Sequence, residues 1–356
     1  MIKNNFKVIG VMSGTSLDGI DLIYASFNKS THWEYAIIYS ETVAYSSYWL
    51  SVLKQLVSNS KKELQDIDQA YTDYLAIQIQ QFIGRYEITD IDAVCSHGHT
   101  ALHEPDNGFT YQIGNLPKLA SLLNETVVCD FRVQDVKLGG QGAPLVPIGD
   151  DILFSNYDFC LNLGGFANVS TEVSGDRIAF DVCPINIVLN HYTQKIGLAF
   201  DDGGKLASTG TVNTSLLQQL NGLAFYKAEY PKSLGLEWVI QEVFPLIDKE
   251  DLPVQDILRT FVEHFAIQIS NILPKSKEAT LLITGGGAYN TFLIERLKTL
   301  SGCKIIIPEP ALIEYKEALI FGLLGILKLR GEINCLKSVT GAKKNHVSGV
   351  IYSGSK

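Results

Sequence analysis

The residues best suited to chemistry fall in four short stretches of a 356-residue chain. The first is Gly10-Val11-Met12-Ser13-Gly14-Thr15-Ser16-Leu17-Asp18-Gly19-Ile20-Asp21. Glycine lets a backbone take positive φ or come close to a ligand. Exposed N–H groups beside Ser and Thr hydroxyls can cradle phosphate oxygens. No Gly-Lys-Ser/Thr follows the glycines, so this is not a Walker A loop. Asp18 or Asp21 could hold Mg²⁺ through water, because Mg²⁺ usually keeps several waters. The same residues also make an ordinary polar hairpin turn, and the stretch alone leaves both readings open.

The second stretch is Thr284-Gly285-Gly286-Gly287-Ala288-Tyr289-Asn290, an apolar run that ends in three glycines and opens into a helical pattern. It offers backbone against which an adenosine can lie, or simply a tight strand-to-helix turn. With Gly164-Gly165 and Gly14 it makes three separate glycine turns. The third stretch, Phe180-Asp181-Val182-Cys183-Pro184-Ile185-Asn186, ends a strand pattern with a carboxylate. Placed there, Asp181 opens away from the core and suits a general base; it equally suits a helix N-terminus, through the macrodipole or a cap. Pro184 is expected in the first turn of the following helix. Cys183 invites a nucleophile reading, but no base is visible beside it and buried thiols are usually inert.

The fourth stretch carries His97, His99 and His103. That spacing can belong to a metal site, but the carboxylate and later histidine ligands are missing. Hydrogen bonding to a polar substrate or to the protein itself remains. Arg132 follows another strand-like run and can meet an anionic group or form a surface ion pair.

The elements that position these residues are α/β in type. Strands are expected at Phe6–Met12 and Ile20–Phe27, joined as a hairpin. Leu64, Ile67, Tyr71, Tyr74, Leu75 and Ile79 recur at helical spacing within one long helix over Ser46–Gly84. A strand at Ile91–Ser96 follows. The middle of the chain repeats the plan, with strands at Asp158–Leu163, Ala167–Val173 and Arg177–Val182. Then come a helix at Val254–Leu273, a strand at Thr280–Thr284, and helices at Tyr289–Leu300 and Tyr315–Leu329. This predicts two related lobes with a cleft between them. The lobes are drawn as residues 1–150 and 151–356, with the final segment able to pack back on the first.

Bulk properties narrow the function classes. Apolar residues make up 46% and charged residues 19%, a globular balance rather than a disordered one. The net charge of −9 disfavours nucleic acid and anionic membranes as partners. No apolar run approaches the roughly 20 residues needed to span a bilayer. Met1–Lys7 is polar and Val8–Met12 is short for a secretory signal, so a cytoplasmic location is expected. The six cysteines are scattered without a Cys-x-x-Cys pair and read as reduced. No Gly-x-Gly-x-x-Gly opens a helix after the first strand, which excludes a Rossmann dehydrogenase.

Taken in order, Met12–Asp21, Ser96–Pro105, Phe109–Gly114, Val127–Pro147, Asn162–Ser170, Phe180–Asn186, Leu282–Asn290 and Ser338–Ile351 resemble blocks of the anhydro-N-acetylmuramic acid kinase family. The run Gly-Gly-Gln-Gly-Ala-Pro-Leu-Val-Pro at Gly139–Pro147 is the longest and most specific of them. The resemblance implies a two-lobed, actin-like (ribonuclease H-like) ATPase fold with duplicated α/β domains. It implies transfer of the γ-phosphate of ATP to O6 of 1,6-anhydro-N-acetylmuramic acid while water opens the anhydro ring. Its product is N-acetylmuramic acid 6-phosphate, made in cell-wall recycling, with ATP and Mg²⁺ required and a homodimer as the usual assembly.

By residue, Gly14, Thr15, Ser16, Leu17, Asp18, Gly19, Ile20 and Asp21 match the phosphate-binding turn. Gly164, Gly165, Gly285, Gly286, Gly287 and Asn290 match the rest of the nucleotide site, and Asp18 and Asp21 the metal side. Asp181 matches the base that activates water, and Glu317 a carboxylate near that water. His97, Arg132 and Asn168 fall at the sugar site. Three positions depart from the family pattern: Ile185 where glycine is common, Leu236 where arginine is, and His99 where glutamine is. A kinase for another amino sugar, and a nucleotide-binding homologue without turnover, are the competing expectations.

Overall fold

The structure is a computed structural model that describes residues 3–354. Its first sheet contains β1 (Asn5–Ser13), β2 (Ile20–Lys29), β3 (Trp33–Val43), β4 (Ala93–Glu104), β5 (Phe109–Ile113), β6 (Val127–Cys129) and, from the far end of the chain, β12 (Val350–Tyr352). The second contains β7 (Phe159–Leu163), β8 (Phe166–Val173), β9 (Asp176–Pro184), β10 (Thr280–Thr284) and β11 (Lys304–Ile306).

In the first sheet β1, β2 and β3 run antiparallel in sequence, β4 lies parallel to β1, and β6 parallel to β4. In the second, β7, β8 and β9 repeat the antiparallel run, β10 lies parallel to β7, and β11 parallel to β10. With β5, which pairs with β4 off this path, and the added β12 set aside, both read third, second, first, fourth, fifth across the sheet. This is the duplicated ribonuclease H-like plan of the actin-like ATPases, the expected fold class.

Sequence reading passed over β3, the strand that makes the two halves alike. Only some of its side chains are buried, and Glu34, Ser40, Glu41 and Thr42 interrupt its apolar run. It lies at a sheet edge, where one face stays in water and the hydrophobic signal is halved.

Three expected elements are corrected. The helix over Ser46–Gly84 is two helices, Ser47–Lys54 and Lys61–Arg85. Ser60 and Glu63 form a capping box that starts the second, so local hydrogen bonding overrides a continuous apolar period. Pro184 ends β9 instead of opening a helix, which begins at Asn186. The Gly286–Tyr289 segment is a 3₁₀ turn, and the next helix starts at Thr291 with the Asn290 side chain accepting from Leu293 N–H.

Two compact units result: Met1–Ser155 with Tyr315–Lys356, and Asn156–Glu314. The last segment thus groups with the first unit rather than with the residues that precede it. The long helix Pro310–Arg330 explains this pull, because its small residues admit close packing on the first sheet. A Cβ on Gly10 would sit 2.2 Å from the carbonyl oxygen of Ala318, and one on Gly325 would sit 2.2 Å from Cys95 Sγ. The second unit is cored by β7–β10 and by the helix Val254–Ile272, which buries Leu258, Phe261, Phe265 and Ile269 along one face. Among the described residues no helix is long and apolar enough to cross a membrane.

Candidate active site

In the first unit the pairing of β1 with β2 ends at Ser13 and Ile20, leaving Gly14–Gly19 as the connecting turn. Leu17 has φ 63° and donates its N–H to the Gly14 carbonyl at 3.3 Å. Gly19 has φ 155°, and a Cβ there would meet Thr42 Cγ2 and the Val43 carbonyl oxygen at 2.7 Å. Glycine is therefore required where the turn re-enters the sheet. Thr15, Ser16 and Asp18 are exposed, while Asp21 is partly covered and accepts from Thr42 Oγ1 at 2.7 Å.

Directly behind this turn lies a buried polar cluster. Ser13 Oγ is within 2.5 Å of Tyr45 Oη, 2.7 Å of Tyr71 Oη and 2.8 Å of His99 Nδ1. Burial lowers the His99 pKa to about 4, so its ring is neutral at physiological pH. The cluster anchors the last residue of β1, and hence the start of the turn, to α-helical and strand neighbours at once. Sequence reading missed Ser13, Tyr45 and Tyr71 as a group, because no local spacing connects them.

β4 continues through His97 and His99, so these histidines belong to a strand rather than to a polar cluster after one. His97 is buried. Its Nδ1 donates to the Gly98 carbonyl at 2.8 Å, and its Nε2 accepts from Arg132 Nε at 2.8 Å. Burial and the neighbouring guanidinium hold its pKa well below the usual imidazole value. With both nitrogens engaged, the metal-ligand reading of His97 loses its lone pair. Arg132 also donates from Nη1 to the Gly142 carbonyl at 2.6 Å. Burial lowers its pKa to about 10, with Glu317 the first favourable charge opposing that shift. Arg132 is thus a positioned, partly covered cation rather than a member of a surface ion pair. Glu317 carries a carboxyl raised above its ordinary value by burial, against the pull of Arg132 and Lys316.

In the second unit β7, β9 and β10 point the same way, so their carboxyl ends lie at one edge of the sheet. Open α/β sheets bind ligands beyond such ends. The Gly164-Gly165 turn, Asp181 to Asn186, and Gly285–Gly287 all gather there. Gly165 accepts N–H bonds from Ile185 at 2.9 Å and Ile187 at 3.3 Å. Gly285 has φ 82°, and a Cβ there would meet Asn162 Oδ1 at 2.6 Å. Asn186 Nδ2 donates to the Leu163 carbonyl at 3.2 Å, tying the helix start to the hairpin.

Asp181 faces Asn168 in the β8–β9 register, and the register then slips, with Ala167 opposite Cys183. Val182 is the extra residue of a bulge, a device that commonly re-aims a side chain beside a site. The carboxylate is partly exposed and Oδ2 accepts from Leu234 N–H at 2.8 Å. Burial raises its pKa above the usual carboxylate value, and the Leu234 bond works against that rise. The helix-cap reading of Asp181 fails, since the helix begins five residues later. Cys183 is buried with its thiol pKa pushed well up, so it stays protonated and inert. The bulk of Ile185 is absorbed in the core of the second unit, whereas Leu236 is exposed.

The anhydro-N-acetylmuramic acid kinase family profile matches residues 6–354. The chain belongs to this family. A relative in Shewanella putrefaciens named anhydro-N-acetylmuramic acid kinase is 33% identical over 372 residues, covering 98% of this chain and 99% of the relative. One of the same name in Pseudomonas syringae pv. syringae is 33% identical over 369 residues, with 98% and 99% covered. Another, in Actinobacillus pleuropneumoniae, is 33% identical with 99% and 100% covered. The matched span covers both sheets, and Gly14–Asp21 and Asp181 lie within it.

Proposed function

We propose that this protein is an ATP-dependent kinase that phosphorylates O6 of 1,6-anhydro-N-acetylmuramic acid and hydrolytically opens its anhydro bridge. The product is N-acetylmuramic acid 6-phosphate, formed in cell-wall recycling. The observation that carries this reading is Asp181: a partly exposed carboxylate just before a bulge near the carboxyl end of β9, opposite Asn168.

Asp181 takes a proton from water as the water oxygen bonds to C1. The C1–O6 bond breaks, and its electron pair stays on O6. O6 then bonds to the γ-phosphorus as the bond from that phosphorus to ADP breaks. Only one strong base is needed, since the phosphoryl group rather than a proton ends on O6. Leu234 N–H fixes Oδ2, leaving Oδ1 to face the water. Glu317 is the second catalytic carboxylate, and His97, Arg132 and Asn168 recognise the sugar.

The turn Gly14, Thr15, Ser16, Leu17, Asp18, Gly19, Ile20 and Asp21 takes the phosphates. Gly164, Gly165, Gly285, Gly286, Gly287 and Asn290 take the rest of the nucleotide. Asp18 and Asp21 offer the oxygen donors Mg²⁺ prefers, and one is exposed at the turn. Bound there, Mg²⁺ would neutralise phosphate charge. A homodimer, which rests on the family resemblance, and a cytoplasmic location complete the proposal.

The test is mass spectrometry of the product made from ATP and the anhydro sugar in ¹⁸O water. Gain of one phosphate and one labelled oxygen is expected. Phosphorylation without label would overturn the coupled reaction. Exposed Leu236, standing where the family usually has arginine, favours a second reading, a kinase for another amino sugar. Faster ADP release with a plain amino sugar than with the anhydro sugar would favour that reading.

A further inference from the structure

The parallel pairing of β1 with β4 ends at Ser13 and His99. Just past Ser13 comes the Gly14–Gly19 turn, and two residues back along β4 is His97, so His99 stands between the proposed phosphate and sugar contacts. Open α/β sheets bind ligands past such strand ends. His99 is nevertheless only 1% exposed. What it can offer a ligand depends on which ring nitrogen carries hydrogen.

Counting hydrogens decides that. Ser13 Oγ meets Tyr45 Oη at 2.5 Å, Tyr71 Oη at 2.7 Å and His99 Nδ1 at 2.8 Å, and the two phenols meet at 3.0 Å. Those are four contacts, and the three hydroxyls supply only three hydrogens. With Nδ1 bare, one contact would set two lone pairs face to face in a buried site, which is costly. With a hydrogen on Nδ1 every contact is filled. Ser13 donates to Tyr71, Tyr71 to Tyr45, and Tyr45 back to Ser13, which also accepts from His99. Burial keeps the ring neutral, with its pKa lowered to about 4. Nε2 is therefore a bare acceptor.

Among the described residues that acceptor has no hydrogen-bond partner. Nor does it belong with the unpaired side-chain atoms that are cut off from solvent, so the sliver of surface His99 keeps includes Nε2. A nearly buried acceptor, fixed in direction by Ser13, calls for a donor. Phosphate oxygens only accept, so the groups proposed for the neighbouring turn do not fit it. A sugar hydroxyl or an acetamido N–H does.

We propose that His99 Nε2 accepts a hydrogen bond from the sugar, through a hydroxyl or the acetamido N–H. The ring then stands between Ser13 and the ligand, donor inward and acceptor outward. Glutamine can present the same order: its amide N–H serves Ser13 while its oxygen faces the ligand. The departure of His99 from the glutamine common at this position thus changes the residue and keeps the hydrogen-bond polarity. Hydrogen-bonding order, rather than metal binding, accounts for a histidine here.

This inference rests on the proposed sugar kinase reaction, and its test separates the two. In ¹⁵N-labelled wild-type protein at pH 7, long-range ¹H–¹⁵N spectra, assigned with H99Q, should show Nδ1 protonated and Nε2 bare. Adding 1,6-anhydro-N-acetylmuramic acid should move the Nε2 resonance upfield, as accepting a hydrogen bond does. ADP alone, whose adenine and ribose also carry donors, should leave it in place. A hydrogen on Nε2, a shift with ADP alone, or sugar binding that leaves Nε2 unmoved overturns the contact. Absence of calorimetric binding by both the anhydro sugar and N-acetylglucosamine would overturn the kinase reading, and the contact with it. For kinetics, His99→Leu should raise KM for the sugar at least about 10-fold, and His99→Gln should recover most of that loss. Ser13→Ala removes only the inner partner and should act mainly on KM for ATP. Matching profiles for His99→Leu and Ser13→Ala would show that His99 acts through Ser13 alone and overturn the contact. Should His99→Leu not fold, the wild-type spectra decide.

Discussion

Leu234 N–H donates to Asp181 Oδ2 at 2.8 Å while Asp181 N–H donates to the Lys232 carbonyl at 3.1 Å. One short loop therefore pairs with the exposed edge of β9 and orients the carboxylate with the same three residues. β9 ends its sheet, so this loop also covers an edge that would otherwise be open to pairing.

Asp181→Asn keeps the shape and an acceptor for Leu234 N–H but removes the base. kcat should fall by about 10²–10⁴, with ATP affinity kept, as measured by steady-state kinetics and calorimetry. Near-wild-type turnover would remove Asp181 from its role.

The raised pKa of Asp181 predicts an acid limb in kcat/KM that lies above the ordinary aspartate value of 3.8. The stability sign is opposite to that of a salt-bridged carboxylate. A folded-state pKa above the unfolded one means the native state holds the proton longer, so stability falls as pH rises through that window. Asp181→Asn should accordingly melt higher than wild type at pH 7 and lose that advantage below pH 4. Equal melting shifts at both pH values would show that the charge is not responsible.

Gly19→Ala forces a Cβ to within 2.7 Å of Thr42 Cγ2 and the Val43 carbonyl oxygen at φ 155°. Strain of about 1–3 kcal/mol is expected, with a larger rise in KM for ATP than for the sugar. Denaturant titration and two-substrate kinetics read the two effects separately.

Arg132→Lys keeps the charge but cannot donate to His97 Nε2 and the Gly142 carbonyl together, because an ammonium lacks the planar fork. kcat/KM for the sugar should drop about 10–100-fold with KM for ATP unchanged. An undiminished kcat/KM would return Arg132 to a structural role.

Much of the candidate site was legible because its parts are local. A glycine-bearing turn between two apolar strands announces itself in twelve residues, and a strand pattern carrying an aspartate near its end is as local, although β9 runs on past Asp181 to Pro184. The helix boundary at Ser60 was also written locally, in Ser60 and Glu63, but the apolar period running across it hid the cap. β3 was hidden for the opposite reason, since an edge strand shows only half its pattern. The cluster of Ser13, Tyr45, Tyr71 and His99 had no local sign at all; its members are 86 residues apart at the extremes.

The sequence by itself determined the fold class, the glycine-bearing hairpin that opens each half and the family, since each depends on short-range pattern or on residues in chain order; the full strand order, with β3 in it, needed the tertiary structure. Tertiary structure alone decided which groups are charged and which way they point. The bulge after Asp181, the guanidinium on His97 and the bond between His99 and Ser13 arise from contacts between distant segments. Solvent exclusion and hydrogen-bond partners set protonation, and neither is encoded in any stretch of neighbouring residues.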